Sequence, residues 1–212
     1  MHTIIDTDRR LRRWEVALLL GVALAALLGS WLGSQQTALS DKVIRLHVIA
    51  NSDSQADQSL KLQVRDRVLA EAGDLFAQGK TRAEAEAALA ERLGDIAAAG
   101  AEAVGELGYD YTVSASVEHN MWFPTKEYTD FALPAGEYTA LRVVIGEGAG
   151  KNWWCVVFPP LCLGSVSETT AQTAADGGFT ADEISLITGE NEGYIVKFKA
   201  LELWGELRQW MK

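Results

Sequence analysis

Residues 43–50 read Val-Ile-Arg-Leu-His-Val-Ile-Ala, and this compact, largely β-branched run decides how the rest of the chain is interpreted. A short continuous apolar segment bounded by turn residues is typical of a buried strand. Residues 51–54 follow as a turn rich in side chains that cap helices. The sequence therefore predicts a buried strand that leads through this turn into a helix.

The segment after the turn is apolar on one side at helical spacing. The residues on that side are Leu60, Val64, Val68 and Leu75. Asp57 and Lys61 stand four residues apart in the favourable order, which predicts an ion pair on this helix. Thr81 and Glu84 then form a capping-box pattern, which predicts the start of a second, alanine-rich helix.

Glycines interrupt that second helix and weaken it by about 1 kcal/mol each relative to alanine. They are Gly94, Gly100 and Gly105, and Gly108 is expected to end the helix.

Apolar residues alternate with polar ones over 109–117, which predicts a strand with one solvated face in an antiparallel sheet. Residues 138–145 are apolar on both faces, as expected of a central strand. Glycine-rich residues 146–150 predict a return, with residues 152–158 as the hairpin partner. Residues 165–178 lack periodicity and predict a loop.

A second capping box at Thr180 and Glu183 predicts a short helix ending at Gly189, and helical spacing predicts a last helix. The apolar residues of that last helix are Phe198, Leu201, Trp204, Leu207 and Met211. The predicted fold is α+β, a single domain with helices packed on one face of a mostly antiparallel sheet, preceded by an N-terminal hydrophobic helix.

The N-terminal segment has the pattern of an export signal or a membrane anchor. Four arginines within residues 9–13 precede Val16–Leu32, in which every residue is apolar or small. A helix of about 17–20 residues is just long enough to cross a hydrocarbon core of about 30 Å. A buried core helix is the alternative, but such helices usually carry a polar face.

This pattern predicts a signal peptide or membrane anchor over 1–34, a linker over 35–42 and an exported globular domain over 43–212. Whether the leader is cleaved stays open, because the apolar stretch is long while small residues, including Ala38-Leu39-Ser40, would permit cleavage.

The composition is that of a globular protein, with 48% hydrophobic residues, a formal net charge of -10 and a pI of about 4.8. Such an acidic surface is repelled by a phosphate backbone, so we expect no nucleic-acid binding.

No catalytic, cofactor-binding or metal-binding residue is predicted. His47 and His119, the two histidines after the N-terminal segment, lie in no cluster with the spacing of metal ligands. The sequence Gly-Glu-Gly-Ala-Gly-Lys at 146–151 lacks the first glycine and the hydroxyl residue of a phosphate-binding loop, so a hairpin turn is the better interpretation.

Cys155 and Cys162 are the two cysteines of the chain, with Pro159 and Pro160 between them. The prolines could turn the chain so that the cysteines form a disulfide, which an exported domain permits. Closing so short a loop would contribute roughly 2–3 kcal/mol. The alternative is a pair of buried thiols packed as small apolar groups.

Trp153 and Trp154 are adjacent, so on a strand their side chains point to opposite faces. One of them could be an exposed binding hot spot, since tryptophan is enriched among such residues. The alternative is a central strand that is covered on both faces.

Several long stretches resemble the stage II sporulation protein R family of endospore-forming bacteria. They are IRLHVIANSDS at 44–54, KLQVRD at 61–66, FPT at 123–125, LPAGEY at 133–138, LRVVIGEG at 141–148 and GKNWWCVVFPPLC at 150–162. The last run is the most specific.

The resemblance implies a messenger made in the forespore and exported into the space between forespore and mother cell. It implies activation of a membrane-embedded aspartic protease that processes pro-sigma-E in the mother cell. It implies no cofactor and no enzymatic activity, and the family supplies no catalytic residues to transfer. We expect Lys151, Asn152, Trp153 and Trp154 to contribute to the partner contact.

Two other functions fit an exported domain. An exported cell-wall hydrolase would need an acid/base pair, such as Glu147 with His47 or Asp53, to converge in a cleft. A wall-binding or membrane-binding module without signalling would need no such pair.

Overall fold

The N-terminal segment is helical, and helix α1 runs over Thr3–Ser40. The structure is a computed structural model that describes residues 3–73, 75, 81–128, 131–161 and 170–188. The chain divides into two compact units, Met1–Thr37 and Ala38–Lys212.

None of the helices among the described residues combines the length and the apolarity needed to pass through a bilayer. The predicted hydrophobic character of the N-terminal helix is therefore not supported, although its helical conformation is.

The second unit contains strands and helices in mixed order. The strands are β1 (Ile44–Ile49), β2 (Val113–Phe123), β3 (Lys126–Glu127), β4 (Ala132–Leu133), β5 (Gly136–Ile145) and β6 (Asn152–Phe158). The helices are α2 (Gln55–Gly73), α3 (Arg82–Glu91), α4 (Leu93–Glu106), α5 (Thr170–Asp176) and α6 (Ala181–Thr188).

Four strands form one sheet in the order β2-β5-β1-β6, and β3 pairs with β4 in a separate small sheet. In the larger sheet β1 is parallel to β5, whereas β1–β6 and β2–β5 are antiparallel. The predicted α+β domain with a mostly antiparallel sheet is confirmed, as are the central position of β5 and the burial of β1.

The prediction that β5 and β6 form a hairpin is wrong, because β1 lies between them. The connecting loop passes over the end of β1, where the Gly150 N–H donates to the Ala50 carbonyl at 2.9 Å. The chain therefore enters β6 on the far side of β1.

Helices cover both faces of the sheet, which corrects the prediction of one covered face. The first core joins β1, β5 and β6 to α2, α3 and α4 through buried residues that include Leu46, Val48, Val64, Leu89, Ile96, Leu141 and Val143. The second core lies on the opposite face and includes Leu39, Val43, Phe123, Tyr138, Val156, Ala174, Phe179 and Ile187. Both faces need cover because β5 carries apolar residues on each side, Leu141 and Val143 on one and Tyr138 and Ala140 on the other.

Several local predictions are confirmed. Leu60, Val64 and Val68 of α2 are buried, and Leu75 is buried just beyond that helix. Residues 109–117 turn their odd-numbered side chains toward the first core, although β2 begins only at Val113.

The capping box at Thr81 opens α3, and Thr180 and Glu183 cap α6 in the same way. The alanine-rich helix is divided at Arg92 into α3 and α4. The loop predicted over 165–178 contains helix α5, whose Ala174 is buried. The predicted last helix lies outside the described residues.

Two glycines of α4 allow the cost of helical glycine to be separated from its packing role. An alanine Cβ at position 105 would meet nothing within 4 Å, whereas at position 100 it would lie 2.9 Å from Cγ1 of Val113. Gly105→Ala should raise the free energy of unfolding by up to about 1 kcal/mol, because alanine is the better helix former. Gly100→Ala should lose that gain or become destabilising, since it crowds the contact of α4 with β2. Urea denaturation of both variants tests this, and equal stabilisation by the two would contradict it.

Candidate functional site

Two loops meet where the neighbouring parallel strands β1 and β5 end, and together we call them the tip. The tip consists of residues 51–54, between β1 and α2, and residues 146–151, between β5 and β6. The backbone N–H of Ala149 donates to the Asn51 carbonyl at 3.1 Å. The Asn51 side-chain oxygen accepts from the N–H of Glu147 at 3.0 Å, and Asp53 accepts from the N–H of Lys151 at 2.7 Å.

Glycine is required in the second loop because the two backbones approach so closely. A Cβ at Gly150 would collide with the Ser52 carbonyl, and a Cβ at Gly146 would collide with the Asn51 side chain. Gly146 also has a φ of +55°, in the left-handed region that favours glycine. These contacts explain the glycine-rich sequence without a phosphate ligand.

A buried carboxylate holds the first loop of the tip. Asp57 is 4% exposed, and it accepts hydrogen bonds from the Asn51 amide at 3.0 Å and from the Ser52 hydroxyl. These two donors, Ser52 foremost, lower the pKa of Asp57. Asp57 therefore stays ionised while it ties the loop to the start of α2.

A buried lysine holds the second loop. Lys61 is 4% exposed, and its Nζ donates to Oε1 of Gln58 at 2.6 Å and to the carbonyl of Lys151 at 2.8 Å. Burial lowers the pKa of Lys61. The predicted ion pair between Asp57 and Lys61 is thus replaced by contacts of each side chain with a different loop.

The tip fills the place where an open α/β sheet commonly holds its ligand, at the carboxyl ends of adjacent parallel strands. The two loops occupy that space with their own backbones and side chains. What the tip offers to other molecules is its outer surface, with Asp53, Glu147 and Lys151 exposed.

The four residues proposed for partner contact, Lys151 to Trp154, run from the tip into β6, and we call them the contact strip. Lys151 and Asn152 are exposed, whereas Trp153 and Trp154 are half-buried. The two indoles pack against opposite cores. Among the described strands β6 stands last in this sheet, beside β1, and each indole is partly covered.

Each tryptophan has a polar neighbour. The Arg65 guanidinium of α2 lies 4.6 Å from the centre of the Trp153 ring, a cation–π geometry. The Trp154 ring lies 6.2 Å from the His47 ring and 6.5 Å from the Phe123 ring. Each indole therefore has defined packing partners, and both residues are half-buried.

His47 belongs to a polar row across the sheet, opposite Arg142 on β5 and Trp154 on β6. Its Nε2 lies 2.9 Å from Oδ1 of Asn152. Burial lowers the pKa of His47, and the hydrogen bond with Asn152 offsets this only in part. Arg142 in turn bonds Glu118 at 3.1 Å.

The acid/base pair required by the hydrolase hypothesis is not assembled from the expected residues. His47 bonds Asn152 on the sheet, whereas Asp53 and Glu147 bond backbone or stand exposed in the tip. Among the described residues, no group of three or more His, Cys, Asp or Glu side chains could hold a metal ion.

A histidine–carboxylate contact that the sequence did not indicate occurs at His119. Its Nε2 lies 3.6 Å from Glu86 of α3, and its Nδ1 lies 3.3 Å from the Thr139 hydroxyl of β5. Arg82 donates to that same hydroxyl at 2.8 Å. These residues come from α3, β2 and β5, so no local sequence pattern could have brought them together.

Cys155 is buried and disulfide-bonded. Cys162 lies outside the described residues, so the pairing of Cys155 with Cys162 stays a prediction.

The fold and the tip define an α+β domain in which two loops close the carboxyl ends of β1 and β5, with the contact strip beside them. The family model described as Stage II sporulation protein R matches residues 40–168. The chain belongs to the stage II sporulation protein R family.

A curated relative agrees with this assignment. The chain is 39% identical over 130 residues to Stage II sporulation protein R of Bacillus subtilis (strain 168). The match covers 61% of this chain and 58% of that relative, so it spans less than two thirds of the relative's length. No solved structure matches the chain at a significant level.

The Asp57 contacts predict a pH-dependent stability. The pKa of Asp57 is lower in the folded state than in the unfolded state, where it is about 3.9. Its contribution is therefore complete above that value and is lost as the pH falls through the folded-state pKa. Asp57→Asn should lower the free energy of unfolding at pH 7, and the difference from the parent protein should shrink below pH of about 4.

Urea denaturation at pH 7 and pH 3 measures that difference. Asp182→Asn is the matched control, since Asp182 is exposed at the start of α6. A deficit of Asp57→Asn that is equally large at both pH values would contradict the prediction.

The disulfide prediction can be checked on the intact chain. Alkylation of the denatured protein without reductant should modify neither cysteine, and the unreduced chain should run as a monomer. Reduction should then expose two thiols, because the chain has two cysteines. A monomer with an alkylated Cys162, or a dimer linked through Cys155, would contradict the pairing.

Proposed function

We propose that the chain is an exported sporulation signalling protein that activates a membrane-embedded aspartic protease and so causes processing of pro-sigma-E in the mother cell. In this proposal the protein acts by binding and has no catalytic activity of its own. Membership of the stage II sporulation protein R family supports the link to sporulation. The finer role rests on the resemblance of the sequence and on the form of the tip.

The observation that carries the proposal is the contact strip beside a tip that is fixed before any partner arrives. Five hydrogen bonds hold residues 147–151 in place, and their partners are Ala50, Asn51, Asp53 and Lys61. A surface ordered in advance loses little conformational entropy on binding. Tryptophan and its neighbouring arginine are the residue types that concentrate binding energy.

A messenger of this kind acts by binding one state of its receptor better than the other. Moving a receptor from 1:99 to 99:1 requires a differential affinity of roughly 5.5 kcal/mol. Two half-exposed indoles and a lysine are of the right size to supply part of that energy, since single hot-spot residues contribute about 2 kcal/mol or more.

The proposal places the protein outside the cell that makes it. The basic residues before the apolar stretch would stay in the cytoplasm, and the domain would be exported from the forespore to the intermembrane space. There it would be secreted or remain anchored by residues 1–34.

An exported cell-wall hydrolase is the second candidate, and the contact of His119 with Glu86 is the observation in its favour. That contact is long, and the nearby Thr139 is only 9% exposed with its hydroxyl already bonded to Arg82. Release of soluble fragments from purified wall by the parent protein, but not by Glu86→Gln, would favour the hydrolase. Retention on wall without fragment release would favour a wall-binding module.

Lys151 offers the sharpest test, because its backbone holds the tip while its side chain is exposed. The assay is cleavage of pro-sigma-E in a non-sporulating host that co-expresses this chain, the protease and the pro-factor. Lys151→Glu should reduce cleavage at least tenfold with unchanged thermal stability, because it reverses a charge on the contact strip. Trp154→Ala should also reduce cleavage, with some loss of stability because the indole is half-buried.

Lys126→Glu is the matched control, since Lys126 is exposed on β3 and makes the same change of charge elsewhere. Normal cleavage by a folded double variant, Lys151→Glu with Trp154→Ala, would exclude the contact strip. Cleavage that is independent of the whole chain would exclude the proposed function.

A further inference from the structure

The end of α1 is built into the folded domain. Leu39 is 2% exposed and Val43 is fully buried, and both belong to the second core. The N–H groups of Lys42 and Val43 donate to the carbonyls of Leu39 and Ser40, at 3.1 and 3.3 Å. Residues 39–43 thus form a turn that carries the chain from α1 into the central strand.

An ion pair fixes the same turn to α6. Lys42 Nζ lies 2.7 Å from Oε2 of Glu183, and it lies 5.9 Å from the centre of the Phe179 ring. Glu183 is the residue that caps α6 together with Thr180. The turn is therefore bonded to the start of α6 as well as packed against the second core.

This geometry bears on the residues that permit leader cleavage. Ala38-Leu39-Ser40 has small residues on either side of one large residue, the pattern read by leader peptidases. Hydrolysis of the Ser40–Asp41 bond would consume one water and leave a carboxylate on Ser40 and an amine on Asp41. It would also remove Leu39 from the second core and leave a cavity, which is among the most destabilising changes a domain can undergo.

We propose that the functional protein is not processed at Ala38-Leu39-Ser40, and that any removal of the leader ends upstream of Ala38. The small residues there serve the turn between α1 and β1, and Leu39 is a core residue of the mature domain. The part of this inference that concerns the mature terminus rests on the proposed export, and the part that concerns Leu39 does not.

The first arm of the test uses the full-length chain and needs no export. Leu39→Ser should lower the melting temperature by several degrees, because it empties a buried site. The matched control is Ala38→Ser, at the neighbouring exposed position, which should leave the melting temperature unchanged. Equal melting of Leu39→Ser and the parent protein would overturn the inference.

The second arm is the mass of the active protein recovered outside an exporting host cell. A chain that begins at or before Ala38 is the expected result. A fully active chain that begins at Asp41 would overturn the inference. A chain found only inside the cell would tell against the proposed function, while the melting comparison would still decide the role of Leu39.

Discussion

β1 forms hydrogen-bonded ladders with β5 on one side and β6 on the other, and its side chains enter both cores. Leu46 and Val48 face α2 and α4, whereas Arg45 and His47 face the opposite side. A strand with two neighbours and two covered faces leaves little freedom to the elements around it. The parallel pairing with β5 also brings two loops to the same end of the sheet, which is the origin of the tip.

Arg45 shows how firmly this strand is embedded. It is fully buried, and its guanidinium lies 4.4 Å from the Phe123 ring centre and 5.0 Å from that of Tyr138. Its Nε and Nη2 donate to the Cys155 carbonyl and the Tyr128 hydroxyl. A buried charge is tolerated only when polar partners and aromatic faces replace water. Burial also raises the pKa of Tyr138 to about 12, so that ring stays neutral beside the arginine.

The sequence was informative wherever the physical cause of a structure is local. Capping boxes at Thr81 and Thr180 could be predicted because each involves residues three apart. The buried character of β1 and β5 could be predicted because each is a short run rich in apolar residues and bounded by turn residues. The position of β6 could not be predicted. Its apolar pattern is equally compatible with pairing to β5 or to β1, and the choice depends on a loop that crosses the end of β1.

The same distinction between local and long-range causes applies to the candidate site. The contact strip could be singled out because adjacent tryptophans beside a lysine are unusual in one short segment. The bonds of Asp57 and Lys61 to two different loops could not be foreseen, because an i,i+4 spacing indicates only that two side chains share a helix face. Their actual partners lie up to 90 residues away in the chain. Likewise, His119 and Glu86 meet only because α3 packs near β2.

Under the proposed function, this domain obtains its selectivity from the shape and charge of its surface. Its side chains must be ordered before binding, because each side chain that becomes ordered only on binding makes the binding free energy less favourable by roughly 0.5–1.5 kcal/mol. Here Arg65 orients one indole, His47 and Phe123 flank the other, and Lys61 holds the carbonyl of the exposed lysine between the tip and β6. The buried polar groups of α2 and β1 are therefore best understood as the support of the contact strip. Under the proposed function, buried residues position the contact strip and its exposed residues make the partner contact.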